Sequence, residues 1–208
     1  MEGSVSQAIP IPSRGSLSAA KAALSGALGR RLESVHVHHL ASYAECFDDD
    51  SNVLGEVLDG VGLGFDGGIE LGFHWTKRPA ESAALDRDLA FALACLESAS
   101  PDAIWSAGAA VSQDASGAPD VRPFVGTYLT QVRIFGWAGT PQAVVLKLDG
   151  RELGVALGSN CGTLGDCDDV QLLAAHEVLR VEQPGEWLEL ARLECHQDAP
   201  PGSRSLSS

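Results

Sequence analysis

Several patterns that would assign a function directly are missing from this sequence. No apolar run approaches the roughly 20 residues that a membrane-spanning helix needs, and no hydrophobic stretch of signal-peptide type follows Met1. The G-x-S-x-G, P-loop and H-E-x-x-H motifs are also missing. These absences favour a cytoplasmic protein without membrane contact, and they give no support to nucleophilic catalysis.

Basic residues and cysteine are scarce as well. The chain has 14 Lys and Arg against 28 Asp and Glu, a formal charge of −14, and its five cysteines cannot all pair within one chain. Such acidity repels phosphate backbones, so we expect no nucleic-acid binding, and unpaired cysteines fit a reducing compartment. The charge suits a basic protein partner or divalent cations; alternatively, it only keeps the protein soluble.

The N-terminal segment has two interpretations. We predict a disordered tail over residues 1–15, followed by a surface helix on which Leu17, Leu24 and Leu28 form one apolar stripe. Residues 3–32 contain no acid, which is also typical of an organelle transit segment. We favour the surface helix because the basic residues are not gathered on one face.

The rest of the chain predicts an α+β fold. We expect a mixed lobe over 16–111 with one main helix, a linker or exposed loop at 112–123, and an antiparallel β-rich, sandwich-like lobe over 124–197. Residues 198–208 are rich in Pro and Ser and are predicted to be a disordered tail.

In the N-terminal lobe, alternation predicts a strand at 33–40, with Val35 and Val37 on one side. The glycine-rich stretch 60–68 is interpreted as a mobile loop ending in a turn, with a strand following at 69–73. The main helix is predicted over 79–98 from a leucine stripe, and a short helix should begin after Ser100.

In the C-terminal half, Asp149-Gly150 is a favoured type I′ turn pair. It predicts a hairpin that pairs Leu148 with Arg151, Leu146 with Leu153 and Val144 with Val155. A second hairpin is expected to join 176–182 to 186–196, with a short helix over 169–175 before it.

The stretch HVHHLASYAECFDDD carries the candidate metal ligands. His36 and His38 share a face of the predicted strand, and two such imidazoles can bind a divalent metal when a third ligand is added. Asp48, Asp50 or His74 are the candidate third ligands. No cofactor is predicted, but zinc, iron or calcium is the alternative.

The acidic run also resembles a calcium-binding loop in part, through Asp48, Asp50 and Glu56. Val53 stands where the loop needs glycine for its sharp turn, so the match fails at an important position. We therefore favour an acidic turn that caps a following helix.

Two tryptophans and two cysteines complete the candidates. Trp75 and Trp137 lie at predicted strand ends, Trp137 directly after Gly136, where an aromatic ring can bind a sugar or a protein, although core packing is the alternative. Cys161 and Cys167 bracket five residues, a spacing that allows either a disulfide or two reduced thiols.

These observations favour a non-catalytic acidic binding or interaction protein that contacts a basic protein partner. Its expected contact residues are Asp48, Asp49, Asp50, Glu56, Trp75 and Trp137. The alternative is a metal-dependent enzyme or metal-binding protein that uses His36 and His38 with the carboxylates.

Overall fold

The computed structural model describes residues 15–40, 51–77, 91–98, 110–137, 139–158, 170–174 and 188–195. Within these ranges the chain forms one helix and eleven strands, with short 3₁₀ turns at Asp66–Gly68 and Arg122–Phe124. The elements are α1 (Leu17–Ala27), β1 (Leu32–Leu40), β2 (Val57–Leu58), β3 (Gly60–Phe65), β4 (Ile69–Lys77), β5 (Phe91–Leu96), β6 (Ala110–Asp114), β7 (Leu129–Trp137), β8 (Thr140–Leu148), β9 (Arg151–Leu157), β10 (Val170–Ala174) and β11 (Leu188–Glu194).

The described strands form two sheets in which every pairing is antiparallel. The first sheet has the order β5-β4-β3-β1-β6, and the second has the order β11-β7-β8-β9-β10-β2. The predicted α+β, β-rich class is confirmed.

The two sheets and the helix share one hydrophobic core. Alternate residues of each strand point inward, so Val37 and Phe73 of the first sheet and Val144 and Leu146 of the second are fully buried in the same cluster. Burying each such side chain contributes about 1.5–3 kcal/mol. The boundaries of the two predicted lobes stay predictions.

The helix α1 completes this core. The Ser16 side chain accepts a hydrogen bond from the Ala19 N–H at 3.2 Å and so caps the first turn. Ala20, Ala23, Leu24 and Ala27 are buried against the sheets. The helix is confirmed, and a cleaved leader that ended at residue 32 would remove part of the core.

The helix predicted over 79–98 is wrong where the structure describes it. Phe91–Leu96 is strand β5, at one edge of the first sheet, and residues 78–90 lie outside the described ranges. Ala92, Leu93, Ala94 and Cys95 are all buried. A continuous apolar run of this length has no period that separates a buried strand from a buried helix.

A second apolar segment also forms a strand where a helix is predicted. The helix predicted over 169–175 is wrong, because Val170–Ala174 forms strand β10 and its side chains are almost all buried. The predicted loop at 60–68 is also wrong over its first part, which is strand β3. There, Gly60, Gly62 and Gly64 alternate with the core residues Val61 and Leu63.

The predicted hairpin at Asp149-Gly150 is confirmed in its register. Leu148 pairs with Arg151, Leu146 with Leu153 and Val144 with Val155. Asp149 and Gly150 have φ values of 45° and 85°, as a type I′ turn requires.

The strand of the second predicted hairpin is also found, as β11. Its described partner is β7. The other arm, 176–182, and the short helix expected after Ser100 lie outside the described residues.

A close backbone approach requires glycine at position 136. A Cβ atom there would meet the Thr140 carbonyl oxygen and lie 2.9 Å from a Leu190 methyl group. Changing Gly136→Ala is expected to lower the free energy of unfolding by about 1–3 kcal/mol, because the backbone has to shift. Urea denaturation measures this. Gly117→Ala is the control, because its added Cβ has nothing within 4 Å, and equal losses in the two variants would contradict the argument.

Candidate functional site

Pairing brings two buried histidines to one face of the first sheet. His38 of β1 and His74 of β4 stand opposite Gly60 of β3, one on each side. Directly opposed residues point to the same face, and this face is the one turned away from the core valines of β1. His38 is 0% exposed and His74 is 5% exposed. His36, two residues before His38, lies on the same face opposite Asp114.

Sharing a face does not make these histidines a metal site. Among the residues that the structure describes, no group of three or more His, Cys, Asp or Glu side chains could hold a metal ion. Asp48, Asp49 and Asp50 lie outside the described ranges, so their distances from His36, His38 and His74 are not defined. The metal hypothesis therefore stays a prediction.

The residues after the acidic run do not form the expected helix. Residues 51–56 make turns and lead directly into β2, so the prediction of a capped helix at this position is wrong. The Asp120 carboxylate holds these turns in place by accepting hydrogen bonds from the N–H groups of Val53, at 2.8 Å, and Leu54, at 2.7 Å. A short side-chain-to-backbone contact across 66 residues leaves no local pattern in the sequence, and Asp120 was not among the candidates.

Strand β2 connects the two sheets next to the histidines. Leu58 pairs with Val170 in the second sheet, the Asp59 N–H donates to the His38 carbonyl at 3.0 Å, and Gly60 already belongs to the first sheet. One end of the first sheet therefore meets one end of the second at this point.

Most of the negative charge lies outside the described framework. The described residues carry 12 acidic and nine basic side chains, a charge of −3, against −14 for the whole chain. Three segments between strands, 41–50, 78–90 and 159–169, contain ten acidic residues and two arginines, a charge of −8. The acidity is therefore concentrated in connections and not in the sheets.

These three segments attach to the framework around the β2 junction. Segment 41–50 leaves β1 after Leu40, and segment 78–90 joins β4 to β5, both at the end of the first sheet that holds His38. Segment 159–169 enters β10 at Val170, the partner of Leu58. We call this end of the molecule, which includes Glu56 and Asp59, the acidic end.

The other predicted contact residues are only partly gathered here. Glu56 is exposed at the acidic end, whereas the half-buried Trp75 packs against the core. Trp137 ends β7, three strands away from β10 in the second sheet.

His39 is a half-buried imidazole at the acidic end. Burial lowers its pKa below the ordinary histidine value of 6.5, and the nearby carboxylates of Asp59 and Glu56 oppose that effect. Asp114, on β6, is a second titratable group with a shifted pKa. Hydrogen bonds from the Ser116 hydroxyl and N–H lower the pKa of Asp114, and the nearby His36 side chain lowers it slightly further. At neutral pH His39 is therefore neutral and Asp114 is charged.

The lowered pKa of His39 predicts a pH dependence of stability. Below about pH 6.5 the unfolded chain binds a proton at this site more readily than the folded chain does, so stability falls as the pH falls toward the native pKa. The urea concentration at the midpoint of unfolding should therefore decrease between pH 7.5 and pH 5.5, and it should decrease less in His39→Gln than in the wild-type protein. His36→Gln is the control, and an unchanged slope in His39→Gln would contradict the assignment.

Cys95 and Cys195 are free thiols within the described residues, while Cys161 and Cys167 lie outside them. Burial raises the pKa of Cys95 to about 12, so the side chain is a neutral thiol at pH 8, and the thiolate is the form that reacts as a nucleophile.

Cys95 should therefore resist iodoacetamide at pH 8 in the folded protein and react fully in 6 M guanidinium, as read by peptide mass spectrometry. Cys195, which is partly exposed, is the internal control. Equal labelling of the two cysteines in the native state would show that Cys95 is accessible.

Comparisons with protein-family models, with curated proteins and with solved structures find no match to this chain. In the part of the chain that the structure describes, no helix is long and apolar enough to cross a bilayer.

Proposed function

We propose that this protein is a non-catalytic, acidic binding protein whose acidic end contacts a basic protein partner. The observation that supports this proposal is that most of the net negative charge lies in segments between strands, outside the described sheets and helix. The described sheets and helix carry −3, while the three segments that attach at the acidic end carry −8.

The magnitude of the charge argues for a group of carboxylates acting together. One pair of unit charges 10 Å apart in water contributes only about 0.4 kcal/mol, and at physiological salt the interaction is screened within about 8 Å. Several carboxylates on neighbouring segments add their fields, which speeds association with a cationic surface and rejects anionic ones.

The partner class follows from the sign of the charge. A nucleic acid would be repelled, whereas a lysine- or arginine-rich protein segment would be attracted. We propose the cytoplasm as the location, because the odd number of cysteines and the two free thiols fit a reducing compartment.

A charge-neutralising variant tests the proposal. In Asp48→Asn/Asp49→Asn/Asp50→Asn, the affinity for a fluorescein-labelled deca-arginine peptide should fall by roughly tenfold at 50 mM salt, because three carboxylates leave the acidic end. The measurement is fluorescence anisotropy over a salt series from 50 to 500 mM. Wild-type affinity should decrease steeply with salt, and the variant should show a smaller slope.

The matched control removes the same charge elsewhere. Glu33, Glu70 and Glu97 are exposed and lie away from the acidic end of the first sheet, so Glu33→Gln/Glu70→Gln/Glu97→Gln should keep nearly wild-type affinity. If both triple variants lose affinity equally, net charge alone explains the binding. Wild-type protein that does not bind the peptide at 50 mM salt would remove the proposal.

A further inference from the structure

We propose that the basic partner binds as an extended strand on the open edge of β6, with alternating basic and apolar side chains. This inference rests on the proposed function and specifies the form of its partner. The motivation is the combination of exposed edge, charge and position that β6 presents next to the acidic end.

The hydrogen-bond pattern shows which backbone groups of β6 face outward. The Ala115 N–H donates to the Val35 carbonyl at 2.8 Å, and the same register continues as Gln113 opposite Val37 and Val111 opposite His39. Successive residues of a strand point their backbone N–H and C=O groups to opposite sides. Those of Val111, Gln113 and Ala115 face β1, so the N–H and C=O groups of Ser112 and Asp114 point away from β1.

Among the described strands, β6 is the last one on this side of the first sheet. An outward row of backbone donors and acceptors is a template for another strand, and β-strand addition is a common way to bind extended peptides. Ser112 and Asp114 can each exchange two hydrogen bonds with an antiparallel peptide.

The side chains of β6 define what such a peptide should carry. Asp114 is exposed and charged at neutral pH, and it lies with Ser112 on the outer face of the sheet. Val111 lies on the opposite face and is 43% exposed, one of few large apolar side chains exposed in the described residues. A basic side chain opposite Asp114 and an apolar one opposite Val111 match the two faces.

The edge also leads to the acidic end. Ala110, the first residue of β6, stands opposite Leu40, after which segment 41–50 begins. A peptide antiparallel to β6 passes Asp114 first and leaves beside Ala110, so basic residues that follow its paired part extend toward the end of the first sheet that holds His38.

Proline at position 112 tests the edge directly. Ser112→Pro removes an outward N–H and spares the hydrogen bonds between β1 and β6, which is the strand position where proline is tolerated. Affinity for a labelled peptide of alternating lysine and valine should fall roughly tenfold. Ser112→Ala, which keeps the N–H, should bind within about twofold of wild type. Deca-arginine binding, which needs no strand pairing, should be unchanged in both variants.

A second measurement does not depend on how the proline variant folds. The same alternating peptide, N-methylated at every second residue on its pairing edge, should lose binding to the wild-type protein. If this peptide binds like the unmodified one, or if a folded Ser112→Pro protein keeps full affinity, the β6 inference is overturned while salt-dependent deca-arginine binding still supports the proposed function. A dimer that Ser112→Pro abolishes, together with no peptide binding, would instead assign the edge to a second copy.

Discussion

Burial between the two sheets is the constraint on which the rest of the structure depends. Phe73 and Val144 come from different sheets and are both excluded from water in one cluster, and α1 adds its alanine-rich face to the same cluster. Because inward positions alternate with outward ones, this burial fixes the register of every strand that contributes to it. The register then decides which polar residues share the outer faces and which backbone groups stand at the edges.

The residues that stabilise the fold and the residues that carry most of the net charge lie in different parts of the chain. The apolar inner faces and the paired backbone groups hold the framework, whose net charge is close to neutral, while the acidic residues are concentrated in segments between strands. Burying a charge without a partner costs a large free energy, and the described core clusters contain no Asp or Glu side chain. In our proposal these carboxylates attract a cationic partner, and the outer edge of β6 pairs with its backbone.

Short sequence patterns predict local structure correctly where a single feature, such as turn chemistry or helical periodicity, decides it. Asp149-Gly150 predicted the turn, and alternation on both sides predicted the register of its hairpin. The leucine stripe at Leu17, Leu24 and Leu28 predicted α1. The segments 91–96 and 170–174 are buried strands whose apolar runs do not alternate with polar residues, so their sequences do not distinguish them from buried helices. The role of Asp120 has no local signature in the sequence, because its partners, Val53 and Leu54, are far away in the chain.

The sequence by itself determined the acidity, the odd number of cysteines, the amphipathic helix and the tight hairpin, since composition, helical periodicity and turn chemistry act over short distances. Only the tertiary structure decided that His38 and His74 flank Gly60 on one face and that β2 joins the ends of the two sheets. It also decided that Ser112 and Asp114 lie on the edge strand of the first sheet, among the strands that the structure describes. These relations depend on which strands pair. Strand pairing is set by the total burial of both sheets, and a short window of residues does not contain that information.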